Sequence, residues 1–368
     1  MDEKKLTRRK AIQCSLEAAA SLSLGSAAIS GCNNSTRSSL LPVEHEAPNL
    51  SSDKVKKYIS CVRPFREKGF RLEVEAKWEK TLVHNYGHGG GGITVSWGCA
   101  KQVLKLVDSV GIDAGSEVTV LGAGVMGLTT AYVLHEAGFK PIIIADNFGR
   151  ESTSYKAGGQ WCPSLVSPEE SEQSKSQFQQ ILRDSHKKFS ELGEPWGIFH
   201  RLNYVEGLTA PSFSKVPSGV LAKPIVRERF PVQNLSFGGL EYSTILIEPP
   251  FFLDQIKKDL VQRKVEFRVM KIESVNQVKQ IGSKAIVNCL GLAAGALFED
   301  SSVIPLRGHL VHLEPQDLGY LLSHENGYVF PRRDCLVVGG SVERGVADTE
   351  PNESACKEIL GRNRAVFE

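Results

Sequence analysis

The chain has 368 residues, of which 41% are hydrophobic and 8% aromatic, and its formal net charge is +2. This near-neutral charge, with no Lys/Arg cluster interleaved with aromatic residues, argues against a nucleic-acid partner. No apolar run approaches the roughly 20 residues of a spanning helix. Because this length can bury one large core or two moderate ones, we predict two domains and a small-molecule ligand.

The first 32 residues have the pattern of an export signal. The segment TRRK at 7–10 precedes a weakly apolar stretch from Ala18 to Ile29, and Gly31-Cys32 follows. This pattern is typical of a twin-arginine signal fused to a lipobox, in which Cys32 becomes the lipidated first residue of the mature protein. We therefore predict a periplasmic or cell-surface protein tethered to the membrane through Cys32. The alternative is a disordered basic leader with a chance Gly-Cys pair.

Residues 33–56 are rich in Ser, Asn and Pro and show no periodicity, which predicts a flexible tether. The six cysteines beyond Cys32 have no CxxC spacing. Neither a zinc site nor a disulfide framework is indicated, and free thiols are favoured.

Two unusual pieces follow, CVRPFR at 61–66 and HNYGHGGGG at 84–92. Consecutive glycines let the main chain approach a flat or bulky group. From Thr94 onward the apolar residues have helical spacing, so the glycine run leads into a helix N-terminus, which can face a developing negative charge.

The segment EVTVLGAGVMGLTTAYVLHEAGFKPIIIAD at 117–146 predicts a strand, a tight glycine turn, a helix and a second strand that ends at an acid. Gly122, Gly124 and Gly127 allow the turn, the approach of backbone N–H groups to a pyrophosphate, and close helix packing. Asp146 can accept hydrogen bonds from ribose hydroxyls. The pattern indicates a dinucleotide site at a helix N-terminus.

Further elements follow in chain order. The spacing predicts a polar helix at 168–192, mixed strands and turns at 196–242, an amphipathic helix at 251–264, a buried strand at 284–289, strands at 303–313 and 328–340, and a helix from 353 that the chain end cuts short. The apolar strand at 284–289 runs into Gly291, which suggests a return to the nucleotide unit.

Together these stretches closely resemble the D-amino-acid oxidase family, which includes the D-aspartate oxidases. The matching stretches are VLGAGVMGLTTAYVL, AGGQWCP, IVNCLGLAAGAL, PLRGHLV, GYVFPRRD with VVGG, VRPFR, and HNYGHGGGGITVSWGCA. The resemblance implies an α/β protein with an FAD-binding Rossmann-type domain and a mainly antiparallel β-sheet substrate domain. It also implies oxidative deamination of D-amino acids by hydride transfer to FAD, with molecular oxygen as acceptor. A homodimer stays an open alternative.

The order of the motifs differs from the family. There, the arginine motif and HNYGHGG follow the GYVFP-like strand, whereas here they precede the nucleotide unit, which indicates a circular permutation. Such a rearrangement requires that the old termini be joined across 107–115. The resulting prediction is a signal at 1–32, a tether at 33–56, a permuted segment at 57–116, an FAD domain at 117–167 and 252–302, a substrate domain at 168–251 and 303–350, and a returning helix at 351–368.

The resemblance also assigns the site. Arg63 would fix the substrate carboxylate, Tyr328 would donate to the same carboxylate, and the Gly90 carbonyl would accept from the amino group. The following residues would surround FAD: Gly89, Gly91, Gly92, Ile93, Thr94, Gly122, Ala123, Gly124, Val125, Met126, Gly127, Asp146, Asn147, Ser152, Thr153, Ser154, Gly158, Gly159, Gln160 and Gly291.

Three further assignments concern charged or metal-binding types. His84 and His88 are spaced by four, but they lie in a glycine-rich turn, so a structural or flavin-neighbouring role is favoured and no metal site is predicted. Arg66 is expected to be a structural ion-pair partner rather than a second substrate arginine.

Two departures from the family bear on the substrate. A lid tyrosine of some members falls at His324, which we include among the substrate-site residues, and a bulky residue falls at Gly91; both changes are expected to open the entrance. His324 favours a polar or acidic side chain, unless it is simply an exposed loop histidine. Two alternative functions stay open: a flavin dehydrogenase or glycine-type amine oxidase on the same fold, and a flavin-binding lipoprotein without turnover.

Overall fold

The computed structural model describes residues 44–368; the predicted signal, Cys32 and the first part of the tether lie outside the described residues. The strands are β1 (Val55–Arg66), β2 (Arg71–Lys77), β3 (Lys80–Tyr86), β4 (Glu117–Leu121), β5 (Lys140–Ala145), β6 (Ile198–Glu206), β7 (Ile225–Arg227), β8 (Gly239–Ile247), β9 (Glu266–Val269), β10 (Ala285–Asn288), β11 (Val303–Leu313), β12 (Tyr320–His324), β13 (Gly327–Pro331), β14 (Leu336–Gly339) and β15 (Glu343–Arg344). The α-helices are α1 (Gly92–Ser109), α2 (Val125–Glu136), α3 (Glu172–Leu192), α4 (Pro249–Gln262), α5 (Val275–Gln280), α6 (Ala293–Leu297) and α7 (Glu353–Arg364).

The first sheet has six strands in the order β2-β3-β10-β4-β5-β9. Its pairs are parallel except β2 with β3, and Val120 of β4 lies between Val287 and Ile143. The predicted strand, turn, helix and strand at 117–146 are therefore confirmed, as is the return of the chain at 284–289. Both faces are covered, because these central strands are almost entirely buried.

The second sheet has nine strands, with β1-β11-β14-β13-β12-β6-β8-β7 in a row and β15 paired to β11. Its pairs are antiparallel except β12 with β6. Strand β1 pairs along its length with β11, which sets Arg63 opposite Leu306. The segment that precedes the nucleotide unit thus supplies a strand to this sheet and, through β2, β3 and α1, completes the first one.

The two sheets share one apolar core. Val120 and Val287 of the first sheet belong to the same buried cluster as Ile245 and Ile247 of β8 and Phe252 of α4. Apolar packing therefore continues from one sheet to the other. The predicted division into an FAD domain and a substrate domain, with boundaries at 168 and 252, stays a prediction.

The structure corrects the predicted tether where it can be seen. His45 forms backbone hydrogen bonds with Pro231 and Gln233, and Leu50 is 3% exposed and belongs to an apolar cluster of the second sheet. Residues 44–56 are therefore packed against the body, because the segment holds an apolar anchor that a count of Ser, Asn and Pro overlooks.

The helix that was predicted to run to the chain end stops before it. It begins at the Asn352 cap, whose side chain accepts from Ala355 N, and ends at Arg364. The Arg364 guanidinium donates to the carbonyl of Leu50 at 2.7 Å, so this helix ends beside the residues that lead into β1. Among residues 44–368, no helix combines the length and apolarity needed to cross a bilayer.

Candidate active site

A cavity of about 1250 Å³ brings together residues from both sheets. Its wall contains the four predicted substrate-site residues, Arg63, Gly90, His324 and Tyr328. The predicted cofactor residues also lie in this wall, with the exceptions of Gly91 and Gly127. Residues that are far apart in sequence therefore converge on one site.

The glycine turn between β4 and α2 is shaped by close backbone contacts. Gly122 has a φ of +101°, and a Cβ there would lie 2.5 Å from the carbonyl oxygen of Cys289. A Cβ on Gly127 would lie 1.9 Å from the carbonyl oxygen of Gly122. Gly127 thus packs the helix onto the turn and does not face the cavity.

The N-terminus of α2 opens toward the cavity. Gly124 is its cap residue and offers no side chain, and Ser154 accepts a hydrogen bond from Val125 N at 3.0 Å. The other first-turn N–H groups have no side-chain cap, so they can bind an anion such as a pyrophosphate.

Asp146 follows β5 and lies in the part of the cavity wall formed by the nucleotide unit. One carboxylate oxygen of Asp146 accepts from Asn147 N at 2.8 Å, and the carboxylate lines the cavity. Met270, Lys271 and Ile272 line the same region. These three residues were not predicted, because they follow β9, a four-residue strand with no motif, although their place after a parallel strand was a usable signal.

Orphaned polar atoms show that the cavity fits a large polar ligand. Asn85 Oδ1, Ser152 Oγ and Gln160 Nε2 are buried without a hydrogen-bond partner, and all three residues line the wall. Since buried polar groups are costly when unpaired, a ligand with many hydrogen-bonding atoms would satisfy them. A dinucleotide has the required length and polarity.

The side chains of two predicted cofactor residues form hydrogen bonds within the protein. The Thr94 hydroxyl donates to the Cys162 carbonyl at 2.9 Å, and the Thr153 hydroxyl donates to the Val62 carbonyl at 2.8 Å. These side chains hold the cavity wall together.

Arg63 projects from β1 over a glycine of the neighbouring strand. A Cβ on Gly308 would come within 2.4 Å of the guanidinium nitrogens, so a side chain there would displace the guanidinium from this position. Arg63 Nη1 donates to the Ser341 carbonyl at 3.4 Å. In the part of the chain that the structure describes, no carboxylate forms an ion pair with Arg63, so its guanidinium can bind an anion.

Tyr328 lies beside this guanidinium on β13. Its ring stacks on Phe330 with centroids 4.4 Å apart. Burial raises the pKa of Tyr328 to about 12, and this rise is partly opposed by the nearby Arg63. The phenol therefore stays protonated and can donate a hydrogen bond to an anion held by Arg63.

The glycine run before α1 forms one side of the cavity. Gly90 lies in the wall, and its N–H donates to the Leu165 carbonyl at 3.2 Å. A Cβ on Gly91 would come within 2.3 Å of Val166, so Gly91 is packed inside the protein. The expectation that Gly91 opens the entrance is therefore wrong.

His324 ends β12 and is half-buried in the wall, which excludes the exposed-loop alternative. Its Nδ1 accepts from Asn326 N at 3.2 Å, so Nε2 carries the proton that is donated to Asn363 Oδ1 at 2.9 Å. Burial and the nearby Arg362 lower its pKa, while Asn363 opposes this. His324 is therefore neutral, and both of its nitrogens are engaged by the protein.

The two histidines spaced by four have separate surroundings. His84 Nε2 lies 2.9 Å from Glu75 Oε2, while His88 lies 3.5 Å from Cys99 Sγ and stacks on Phe70. Burial lowers the pKa of His88 to about 3, so it is neutral. Within residues 44–368 there is no cluster of His, Cys, Asp and Glu arranged to hold a metal ion.

Arg66 is a structural ion-pair residue, as predicted. Its guanidinium contacts Asp300 at 2.8 Å and Glu169 at 2.7 Å, away from the cavity wall.

Two other parts of the wall were not predicted. Thr209 to Phe213 line it from the loop after β6, and Arg362 lines it from α7. The loop has no chemical motif, and Arg362 lies on a helix whose polar residues look like an ordinary solvent face.

The comparison with protein families agrees with this geometry. The model of the family described as DAO, FAD dependent oxidoreductase, matches residues 117–368. The chain therefore belongs to this family of FAD-dependent oxidoreductases, and its cofactor is FAD.

Individual relatives can be compared as well. The chain is similar to the D-amino-acid oxidases of Rubrobacter xylanophilus (26% identical) and Streptomyces coelicolor (28% identical), in each case across 68% of this chain and 77% of the relative. The D-aspartate oxidase of Homo sapiens is 23% identical, across 67% of this chain and 74% of the relative.

A solved structure shares the fold. The glycine oxidase of Bacillus cereus superposes with a TM-score of 0.50 at 15% identity, across 67% of this chain and 77% of that chain. The architecture is thus that of the family, an α/β fold with a Rossmann-type FAD-binding domain and a mainly antiparallel sheet.

Proposed function

We propose that this protein is a D-amino-acid oxidase, which converts a D-amino acid, water and molecular oxygen into a 2-oxo acid, ammonia and hydrogen peroxide. The observation that carries the proposal is the meeting of Arg63 and Tyr328 in the cavity that also holds the dinucleotide turn. The curated D-amino-acid oxidase relatives support the same activity.

The substrate carboxylate binds to Arg63 and Tyr328. A planar guanidinium holds a carboxylate through two parallel hydrogen bonds, which fixes its orientation as well as its position. The protonated phenol of Tyr328 adds a third donor from a different strand. With the carboxylate fixed, only one enantiomer directs its Cα–H into the cofactor region while its amino group faces Gly90.

When bound, FAD supplies the acceptor for the hydride from the substrate Cα, at its N5 atom, and the route of the electrons to oxygen. The protein's part is to position the substrate, which removes much of the entropic cost of the reaction and requires no side-chain base. His88 has the pKa of a buried neutral imidazole, and His324 has no free nitrogen, so neither is a general base in this proposal.

The test is product formation with both enantiomers of a panel of amino acids. We expect 2-oxo acid and hydrogen peroxide in equal amounts from D-amino acids and none from L-amino acids. Reduction of a dye or quinone without peroxide would instead identify a dehydrogenase. Turnover of glycine or N-methylglycine alone would identify a glycine-type amine oxidase.

We also propose export and lipidation at Cys32, on the pattern of TRRK at 7–10 followed by Gly31-Cys32. Metabolic labelling with a fatty acid, followed by cell fractionation, tests this. We expect labelled protein in the membrane fraction, and Cys32→Ser is expected to abolish the label. An unlabelled wild-type protein would contradict the proposal.

A further inference from the structure

A second guanidinium lies at the substrate end of the cavity. Arg362, on α7, lines the wall and donates through Nη2 to the Gly340 carbonyl at 2.5 Å. Gly340 packs against the ring of Tyr328, since a Cβ there would lie 3.0 Å from it. Arg362 is therefore bonded to a residue that packs against Tyr328, the phenol assigned to the substrate carboxylate.

Arg362 and Arg63 are bound to consecutive carbonyl groups. Arg63 donates to Ser341 O, and Arg362 donates to Gly340 O. Because consecutive Cα atoms are about 3.8 Å apart, one residue step separates the two anchor points. Both guanidinium groups therefore lie at the same end of the cavity, where a small molecule with two anionic groups would meet them.

Arg362 still has unused donors. A guanidinium has five N–H groups, and Nε of Arg362 is buried without a hydrogen-bond partner. Among the described residues, no carboxylate forms an ion pair with Arg362. Its neighbour His324 is neutral and therefore adds no charge beside the Arg362 guanidinium.

The carboxylates in the wall are Asp146, Glu151 and Glu325. Asp146 lies at the far end after β5, and Glu151 pairs with Lys156. Glu325 follows His324 and is exposed. Outside the wall, Glu206 accepts from Glu325 N at 2.8 Å. The wall at the substrate end thus presents two guanidinium groups and one solvated carboxylate, which favours an anionic ligand group beyond the one bound by Arg63.

We propose that Arg362 binds the side-chain carboxylate of an acidic D-amino acid and makes D-dicarboxylic amino acids the preferred substrate class. This inference rests on the proposed oxidase function. Arg63 holds the α-carboxylate whichever side chain the substrate carries, and Arg362 holds the second carboxylate. The two guanidinium groups therefore have separate tasks, which separate substitutions can distinguish.

The test compares each acidic substrate with its amide, which has nearly the same shape and no charge. The ratio of kcat/KM for D-glutamate to that for D-glutamine, and for D-aspartate to D-asparagine, is measured in the wild type, Arg362→Gln and Arg362→Lys. Lys357→Gln is the matched control, because it removes a charge from the exposed face of the same helix.

The expected wild-type ratio favours the acid by about tenfold or more, as a charge-assisted hydrogen bond would give. Arg362→Gln is expected to lower this ratio at least about tenfold, Arg362→Lys to retain part of it, and Lys357→Gln to keep it. A wild-type ratio near one, or an equal loss for acid and amide in Arg362→Gln, would overturn the inference.

A binding measurement separates this inference from the proposed function. Glutarate and butyrate cannot be oxidised as amino acids, and their dissociation constants follow from the change in the flavin spectrum of the holoprotein. We expect glutarate to bind at least about tenfold more tightly than butyrate, and Arg362→Gln to remove the difference.

Equal affinities in the wild type would overturn the inference, even if D-amino acids are oxidised. If no D-amino acid is oxidised, the oxidase proposal fails, while the dicarboxylate preference is still decided by this measurement.

Discussion

Arg63 shows how one side chain depends on a residue in another strand. Its guanidinium occupies the space that any side chain at position 308 would fill. The motif around Arg63 was visible in the sequence, and its place in the same sheet as Tyr328 follows from the strand order β1-β11-β14-β13. Arg362 was not predictable, because nothing in its helical spacing distinguishes it from exposed charged residues of the same helix such as Lys357.

Replacing Arg63 with Gln should lower kcat/KM for a D-amino acid by about a hundredfold or more. The physical reason is the loss of a charge-assisted, two-point contact, which costs on the order of 3 kcal/mol. Steady-state kinetics measure the effect, and FAD content is expected to stay near that of the wild type. Arg183→Gln, on the exposed side of α3, is the matched control. Near-normal kinetics in Arg63→Gln would remove Arg63 from its assigned role.

At the scale of elements, the sequence was most informative for strands and helices that are determined by residues close together in the chain. The strands and helix of 117–146 follow from apolar spacing and glycines, and the structure confirms them. Pairing between distant strands was less accessible, because β1 could have joined either sheet. The packing of residues 44–56 was missed for a similar reason, since it depends on partners such as Pro231 and Gln233.

The turn between β4 and α2 gives a prediction about the cofactor. Gly122→Ala should abolish or strongly reduce FAD binding, because the new methyl group would collide with the Cys289 carbonyl at a φ that disfavours side chains. Flavin absorbance of the purified protein measures this. Gly111→Ala is the control, since Gly111 also has a positive φ, of +72°, but has open space around it. Equal flavin content in both variants would contradict the assigned role of the turn.

Asp300 links the two sheets and gives a prediction about pH. Burial acts to raise its pKa, but hydrogen bonds from Ser302, Arg66 and Tyr86 outweigh this and hold the pKa well below its usual range. A carboxyl whose pKa is lowered by folding contributes stability above its unfolded pKa, and that stability is lost as the pH falls.

Asp300→Asn should therefore destabilise the protein near pH 7, by about 3 kcal/mol for a partly buried pair broken on one side. The difference in free energy of unfolding between wild type and variant should be constant above about pH 5 and shrink as the pH falls below about 4. Denaturant unfolding at several pH values measures it. A difference that does not change with pH would show that the charge of Asp300 contributes nothing.

At the scale of the whole molecule, the unusual feature is the order of the segments. The family match begins at residue 117, while the arginine and glycine-rich motifs precede it. The end of α7 lies beside Leu50, and the connection from α1 to β4 is short. We propose that the chain is a circular permutation of the family order, because the same contacts can be reached with a different connectivity.

A rearranged chain tests this. A variant that begins at Ser116, continues to Glu368 and is joined by a short Gly/Ser linker to residues 44–110 should fold and bind FAD. Circular dichroism and flavin content measure the outcome. The control opens the chain inside β4, between Thr119 and Val120, and should not fold, because it breaks a central strand. Failure of the first variant to fold would count against the permutation.

The most direct test of the proposed oxidase is anaerobic reduction of the bound flavin. Purified holoprotein is mixed with D- and L-enantiomers of the same amino acids, without oxygen, and the visible flavin absorbance is followed. We predict that D-amino acids bleach the flavin, that L-amino acids do not, and that readmitted air restores the absorbance. A flavin that no D-amino acid reduces, or that both enantiomers reduce equally, would contradict this prediction.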